Sequence, residues 1–236
     1  YTSGVNVKGQ MVWDASHFLT LSLDYAYDYF DFSSDAAPFS SMNRTAMMLF
    51  YTGRIDERWG VFAAANFRLG AQTGESLWDA RQFAGGAGVT YMFAENLTVG
   101  LGGMGYSRLD YGWSALPMVF VDWQITERLR LRTFGGGALF YDVFGDSSLV
   151  LAFSVEYRNL YYRLEQDPLG RERSVRDNYI QLSAGATFNF SKNAYVSASV
   201  GASLNRDFQM RTNKSRAERI EVDAAPMFTL HAGWRF

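Results

Sequence analysis

Eight charged residues carry most of the chemistry this sequence offers: Asp24, Arg68, Asp122, Arg130, Arg132, Glu156, Arg158 and Arg235. Each falls on the polar side of a strict two-residue alternation. Arg130, Arg132 and Arg158 belong to neighbouring hairpins that also carry Asp122 and Glu156. A guanidinium fork meets a carboxylate through two parallel hydrogen bonds. Withdrawn from bulk water, such a set either pairs internally and holds an interior together, or lines a constriction that sorts small solutes by charge. Internal pairing is the plainer reading.

Enzymatic chemistry has little to build on. The two histidines are His17 and His231. No Gly-x-Ser-x-Gly nucleophile turn is present. A histidine bonded to its neighbours is a simpler account of His231 than a catalytic pair with a serine. No His, Asp and Glu stand at metal-binding spacing. Gly85-Gly86, Gly102-Gly103 and Gly135 to Gly137 lack the lysine and the strand-to-helix setting of a phosphate loop, and read as close packing within a β wall. The chain has no cysteine, which excludes disulfides and thiolate metal sites. We therefore expect no enzyme, no cofactor and no metal. Asp28, Asp31 and Asp35, among aromatic residues, read as a solvated rim rather than a divalent-cation site. Arg171, Arg173 and Arg176, with Arg211, Lys214, Arg216 and Arg219, form two basic loops facing water or lipid phosphate.

These side chains need elements to position them, and the alternation supplies those. From His17 on, Leu19, Leu21, Leu23, Tyr25, Tyr27 and Tyr29 face one way, and Thr20, Ser22, Asp24, Ala26 and Asp28 the other. Helical spacing would scatter this set; a period of two sorts it. The same sorting recurs through Trp59–Leu69, Val119–Ile125, Leu149–Tyr157, Ile180–Phe190 and Val196–Leu204. Short polar turns, such as Asp56-Glu57 and Glu95-Asn96, alternate with longer connections. From His17 this gives six hairpins and twelve strands, residues 17–236 forming the barrel with both ends on the short-turn, periplasmic side. Residues 1–16 are a separate N-terminal segment: periplasmic, lumenal or an extra strand. Thr45 to Tyr51 is apolar on both faces, so its register stays open. Arg128 to Phe144 turns back at Gly135 to Gly137 after about eight residues, short of the roughly 9–11 that span a bilayer. It should leave a low point on the rim.

Composition points the same way. Net charge is −2, so no broad pull toward nucleic acid exists. Aromatics reach 17%, enough for belts at both membrane interfaces. A soluble β-sandwich would carry many lysines on its wet faces, but the chain has only Lys8, Lys192 and Lys214. Small inward residues favour space in the lumen, whereas Phe18, Phe62, Met104, Phe120 and the arginines favour filling it.

From Pro117, the run Asp122-Trp123-Gln124-Ile125-Thr126-Glu127-Arg128-Leu129-Arg130-Leu131, the glycine turn, Glu156-Tyr157-Arg158 and Tyr162-Arg163-Leu164 resemble a family of uncharacterised bacterial outer-membrane β-barrels. The likeness covers most of the chain after His17. It implies a fold and a compartment, and carries no activity. The ending Gly233-Trp234-Arg235-Phe236 resembles the C-terminal signal read by barrel insertion machinery, with Gly233, Trp234 and Phe236 as its residues. The expectation is a transmembrane, antiparallel, up-and-down β-barrel in the outer membrane of a Gram-negative bacterium. Its lumen is narrow or closed and its role structural or partner-anchoring; a narrow passive channel for small solutes or ions is the alternative. Partners would be outer-membrane lipid and lipopolysaccharide, the barrel assembly machinery during insertion and another envelope protein; no nucleic acid is expected.

Overall fold

The computed structural model describes residues 2–14, 16–30, 39–109, 112–133, 136–191, 194–212 and 218–234, without the side chains of Thr2, Gly233 and Trp234. Fourteen strands follow in order: β1 Thr2–Asp14, β2 His17–Tyr29, β3 Ser41–Arg54, β4 Trp59–Gln72, β5 Arg81–Ala94, β6 Leu97–Arg108, β7 Gly112–Gln124, β8 Leu129–Arg132, β9 Gly137–Asp142, β10 Leu149–Leu164, β11 Arg173–Asn189, β12 Ala194–Thr212, β13 Glu218–Val222 and β14 Ala225–Trp234. One turn of 3-10 helix, Leu77–Ala80, precedes β5. Each strand from β1 to β12 pairs with the next in sequence, and β14 joins β12. β13 and β14 lie end to end along β12, beside Arg206–Met210 and Ala194–Ser203 respectively. Alternation is visible in β10, where Leu151, Phe153, Val155 and Tyr157 are exposed and the residues between them are not.

Closure comes from a contact outside the sequence order. β10 also pairs with β4, Arg163 against Ala71 in parallel sense. This closes β4 to β10 into a seven-stranded barrel, with the other strands as additions to it. The short β8–β9 hairpin explains why. β8 covers only Asp122–Gln124 of β7, and β9 only Val150–Val155 of β10. Among the described residues, this edge of β10 has no ladder partner on β9 above Val155, and its backbone groups need partners elsewhere. They find them on β4 and β5. Gln82 Nε2 donates to Tyr161 O at 3.2 Å, Arg68 Nη1 to Asn159 O at 3.4 Å, and Glu165 N to Gln72 Oε1 at 3.3 Å. Gly70 permits the approach: a Cβ there would meet Tyr161 O at 2.7 Å and the Tyr162 ring at 3.2 Å.

The upper part of β10 is thus covered on both faces and acts as a septum. On one side, at the long-loop end, Phe39, Met42, Leu160, Tyr162, Leu164, Val175 and Phe208 form a buried core. Burying each large side chain of this kind contributes roughly 1.5–3 kcal/mol. Nearer the short turns, Phe62 and Phe120 meet edge to face at 6.1 Å, with Phe62 lying over Gly88 and Gly102. Of the residues weighed as lumen-filling in the sequence, these two fill space that the glycines vacate. The open register of Thr45 to Tyr51 resolves inside β3, where Leu49 stands between Leu21 and Ala65. Residues 2–14 form a strand on the β2 edge.

Candidate functional site

The charged residues singled out in the sequence form separate groups. At the short-turn end, register sets Asp122 opposite Arg132 and Gln124 opposite Arg130. Asp122 accepts two hydrogen bonds from Arg130, both 2.6 Å, and one from Arg132 at 3.3 Å. A cavity of about 340 Å³ opens beside them, lined in part by Gln124, Arg128, Arg130, Arg132 and Phe140. Arg158 bonds Glu156, two residues before it on β10, at 2.8 Å, rather than Asp122. Arg68 and Asp24 make no ion pair among the described residues. Arg235 and Phe236 lie outside the described residues, as do the side chains of Gly233 and Trp234.

The largest charged cluster lies at the loop end, and the sequence reading missed it. Asp28, read as part of a solvated rim, is 7% exposed. It takes a hydrogen bond from the Tyr162 hydroxyl at 3.0 Å and faces Arg44 at 3.8 Å. Asp31 and Asp35 of the same stretch lie outside the described residues. Alternation along β2 already places Asp28 on the inward face with Asp24, and that signal was available. Close by, Asp177 is 1% exposed and receives a two-pronged bond from Arg206, 3.0 and 2.8 Å. The Arg206 guanidinium also lies over Tyr179 at 4.9 Å, Phe208 at 5.0 Å and Phe30 at 5.4 Å, which favours a cation in a dry setting.

A β-bulge brings Arg206 inward. Asn178 pairs with Asp207 and Ile180 with Leu204, so β12 carries one extra residue there. Asn205 is exposed and has φ 50°, a left-handed value that asparagine tolerates and branched residues do not. Before the bulge Ser203 faces inward; after it Arg206 and Phe208 do. Uninterrupted alternation would have turned both outward. Deletion of Asn205 would straighten the ladder yet keep Arg206 inward, so it should change unfolding free energy by less than about 1 kcal/mol. Asn205→Val keeps the extra residue in a conformation it resists and should cost about 1–2 kcal/mol. Urea unfolding of both variants checks the order; a deletion more damaging than the substitution would refute the bulge.

In the loops the arginines are largely engaged. Arg171 bonds Asp167 at 2.6 Å and Arg163 bonds Glu172 at 2.6 Å. The backbone N–H and guanidinium of Arg171 hold the Asp167 carboxyl below its ordinary value. Arg176 donates to Asn159 and lies over the Tyr161 ring. Arg219 stands 3.6 Å from Asp207. Gly135, Lys214 and Arg216 lie outside the described residues. His17 meets Asp14 at 3.0 Å in the β1–β2 turn, and His231 is exposed opposite Ser197. Among the described residues no three of His, Asp or Glu are grouped to hold a metal ion. The interior carboxylates Asp28, Asp122, Glu156 and Asp177 each bond an arginine or a tyrosine.

Residues 13–227 match the family described as Domain of unknown function (DUF6268). The chain belongs to that family. The DUF6268 match spans β2 to β13 and leaves most of β1 outside. No curated protein and no solved structure shows a match.

Proposed function

We propose that this DUF6268 chain is an integral outer-membrane β-barrel of a Gram-negative bacterium, with a blocked lumen and a structural or partner-anchoring role. One observation carries the reading: the outward face is apolar around the wall while the charges point inward. Leu21, Leu23, Met47, Val89, Leu101, Val119, Leu151, Phe153 and Val200 are all exposed. Exposed aromatics flank them, with Trp13, Trp59, Phe93, Trp123 and Phe190 near the short turns and Tyr25, Tyr29, Trp78, Trp113 and Tyr157 toward the loops. About ten steps along β4, Trp59 to Leu69, at about 3.3 Å each and a tilt of about 40° give roughly 25 Å, the height of a barrel's apolar band. Water would disfavour so large an apolar surface; hydrocarbon does not. Outer-membrane lipid and lipopolysaccharide would then be its surroundings, and Gly233, Trp234 and Phe236 its signal to the assembly machinery.

In the fuller form of this reading twelve strand lines span the membrane, β2 through β12 with β13 and β14 counted as one. That closure needs β14 on the β2 edge, which β1 occupies here. Cysteines placed at Lys8 and Ser22, which face each other, would cross-link in the inserted protein if β1 stays there, and that result would sink twelve-strand closure. The channel alternative draws on the arginine-lined cavity, but Met42, Tyr162, Leu164 and Phe208 fill the opposite half. The deciding experiment fractionates expressed full chain and records heat-modifiable gel mobility and planar-bilayer current. Detergent-dependent, heat-modifiable protein with a silent bilayer supports the proposal. Current steps whose selectivity changes in Arg130→Ala/Arg132→Ala establish the channel instead, and protein soluble without detergent defeats both readings.

A further inference from the structure

Among the described residues, Arg68 is an interior arginine with no ion-pair partner. Its neighbours are accounted for: Arg44 faces Asp28, Arg158 bonds Glu156 and Arg206 bonds Asp177. Arg68 makes one long hydrogen bond, 3.4 Å, to the Asn159 carbonyl. Its Nε is out of reach of solvent and has no hydrogen-bond partner. The fields of Arg44 and Arg158 add to its charge, and Asp24 opposes them without forming an ion pair. A guanidinium held this way is costly unless a counter-charge joins it.

The space for a counter-charge is present. A cavity of about 70 Å³ lies against Arg68, lined also by Asn66, Gln82, Tyr106, Ser107 and Asn159. One water needs roughly 10–15 Å³ measured in this way, so the half-open cavity exceeds that several-fold and matches a small anion. Its surface is more apolar than polar, Asn66, Tyr106, Ser107 and Asn159 are side chains beside Arg68 with donors to offer, and among the described residues no carboxylate lines it. Gln82 is held in place by donating to Tyr161 O at 3.2 Å and Ala80 O at 3.4 Å. The β10 septum supplies the Asn159 wall, so the chamber exists only because β10 closes onto β4.

We propose that the chamber beside Arg68 binds a small inorganic oxyanion of phosphate or sulfate size. Arg68 supplies the charge, and the Asn66 and Asn159 amides with the Tyr106 and Ser107 hydroxyls supply donors; the Gln82 N–H groups are already committed. The inward pair of Arg68 and Asn66 on β4 stands two strands from Asp24, in the row Asp24–Ala46–Arg68, which makes Asp24 the competing counter-charge. The experiment follows thermal unfolding of the full chain in detergent, titrating sodium phosphate against sodium gluconate at matched ionic strength. Gluconate is larger than the cavity and offers a planar carboxylate in place of a tetrahedral oxyanion. Wild type should gain about 3 °C in Tm at saturating phosphate over gluconate. Arg68→Gln should lose that gain, and Asp24→Asn should keep it at lower phosphate concentrations. Equal responses to the two salts in wild type would overturn the proposal. So would a phosphate response in Arg68→Gln equal to wild type. A response confined to Asp24→Asn would assign Asp24 as the counter-ion and overturn it as well. Should Arg68→Gln fail to fold, wild type and Asp24→Asn still decide.

Discussion

Replacing Tyr162 by alanine should cost the fold about 3–5 kcal/mol, the range for truncating a large enclosed aromatic. Tyr162 is 1% exposed and belongs to the core that Met42, Leu164, Val175 and Phe208 share. Its ring rests on Gly70 of β4, the point where β10 meets the first half of the sheet. Truncation therefore opens a void and weakens closure together. Its hydroxyl donates to Asp28 at 3.0 Å, across 134 residues of sequence. Tyr162→Phe keeps the ring and removes only that bond, leaving Asp28 with Arg44 at 3.8 Å. It should cost about 1–2 kcal/mol. Urea unfolding in detergent, followed by tryptophan fluorescence, separates the two. If phenylalanine costs as much as alanine, the hydroxyl rather than the ring holds the septum.

The strands and the arginine group on Asp122 were legible because both are local. Period-two sorting needs only a strand's own residues, and Asp122, Arg130 and Arg132 lie within one tight hairpin. The shortness of the β8–β9 hairpin was also legible, and was read as a low point in the rim. Its consequence was not. An edge freed above Val155 needs hydrogen-bond partners, but nothing in the sequence of β10 says they lie on β4, some ninety residues earlier. The bond between Tyr162 and Asp28 was hidden for the same reason, although alternation along β2 puts Asp28 on the inward face. Asp177 and Arg206 were hidden for another: one left-handed residue, Asn205, reverses the facing of everything after it. Asparagine is the residue to suspect of this, but it also serves in turns and on polar faces, so the letter alone does not mark a bulge. Arg68 falls on the inward side of the alternation, but its want of an ion pair appears only once Asp28, Glu156 and Asp177 are seen to be engaged by other arginines.

Asp177→Ala should destabilise the protein by about 3–5 kcal/mol, because it leaves the buried Arg206 charged with no carboxylate bonded to it. Asp177 is 1% exposed and both of its oxygens accept from Arg206. The rings of Phe30, Tyr179 and Phe208 around the guanidinium soften the loss, since each cation–π contact contributes about 0.5–2 kcal/mol; they do not replace a two-pronged ion pair. The double variant Asp177→Ala/Arg206→Met removes both charges and keeps an apolar side chain among the same rings. It should recover most of the loss and stand within about 1–2 kcal/mol of wild type, as replaced buried pairs commonly do. A stability cycle over the two singles and the double measures the coupling directly. Strong recovery would mean that the pair sets which way β12 faces after its bulge rather than how tightly the barrel holds. A double variant as unstable as Asp177→Ala would mean that the ion pair itself ties β11 to β12, and that the loop-end plug depends on charge as much as on its aromatic core.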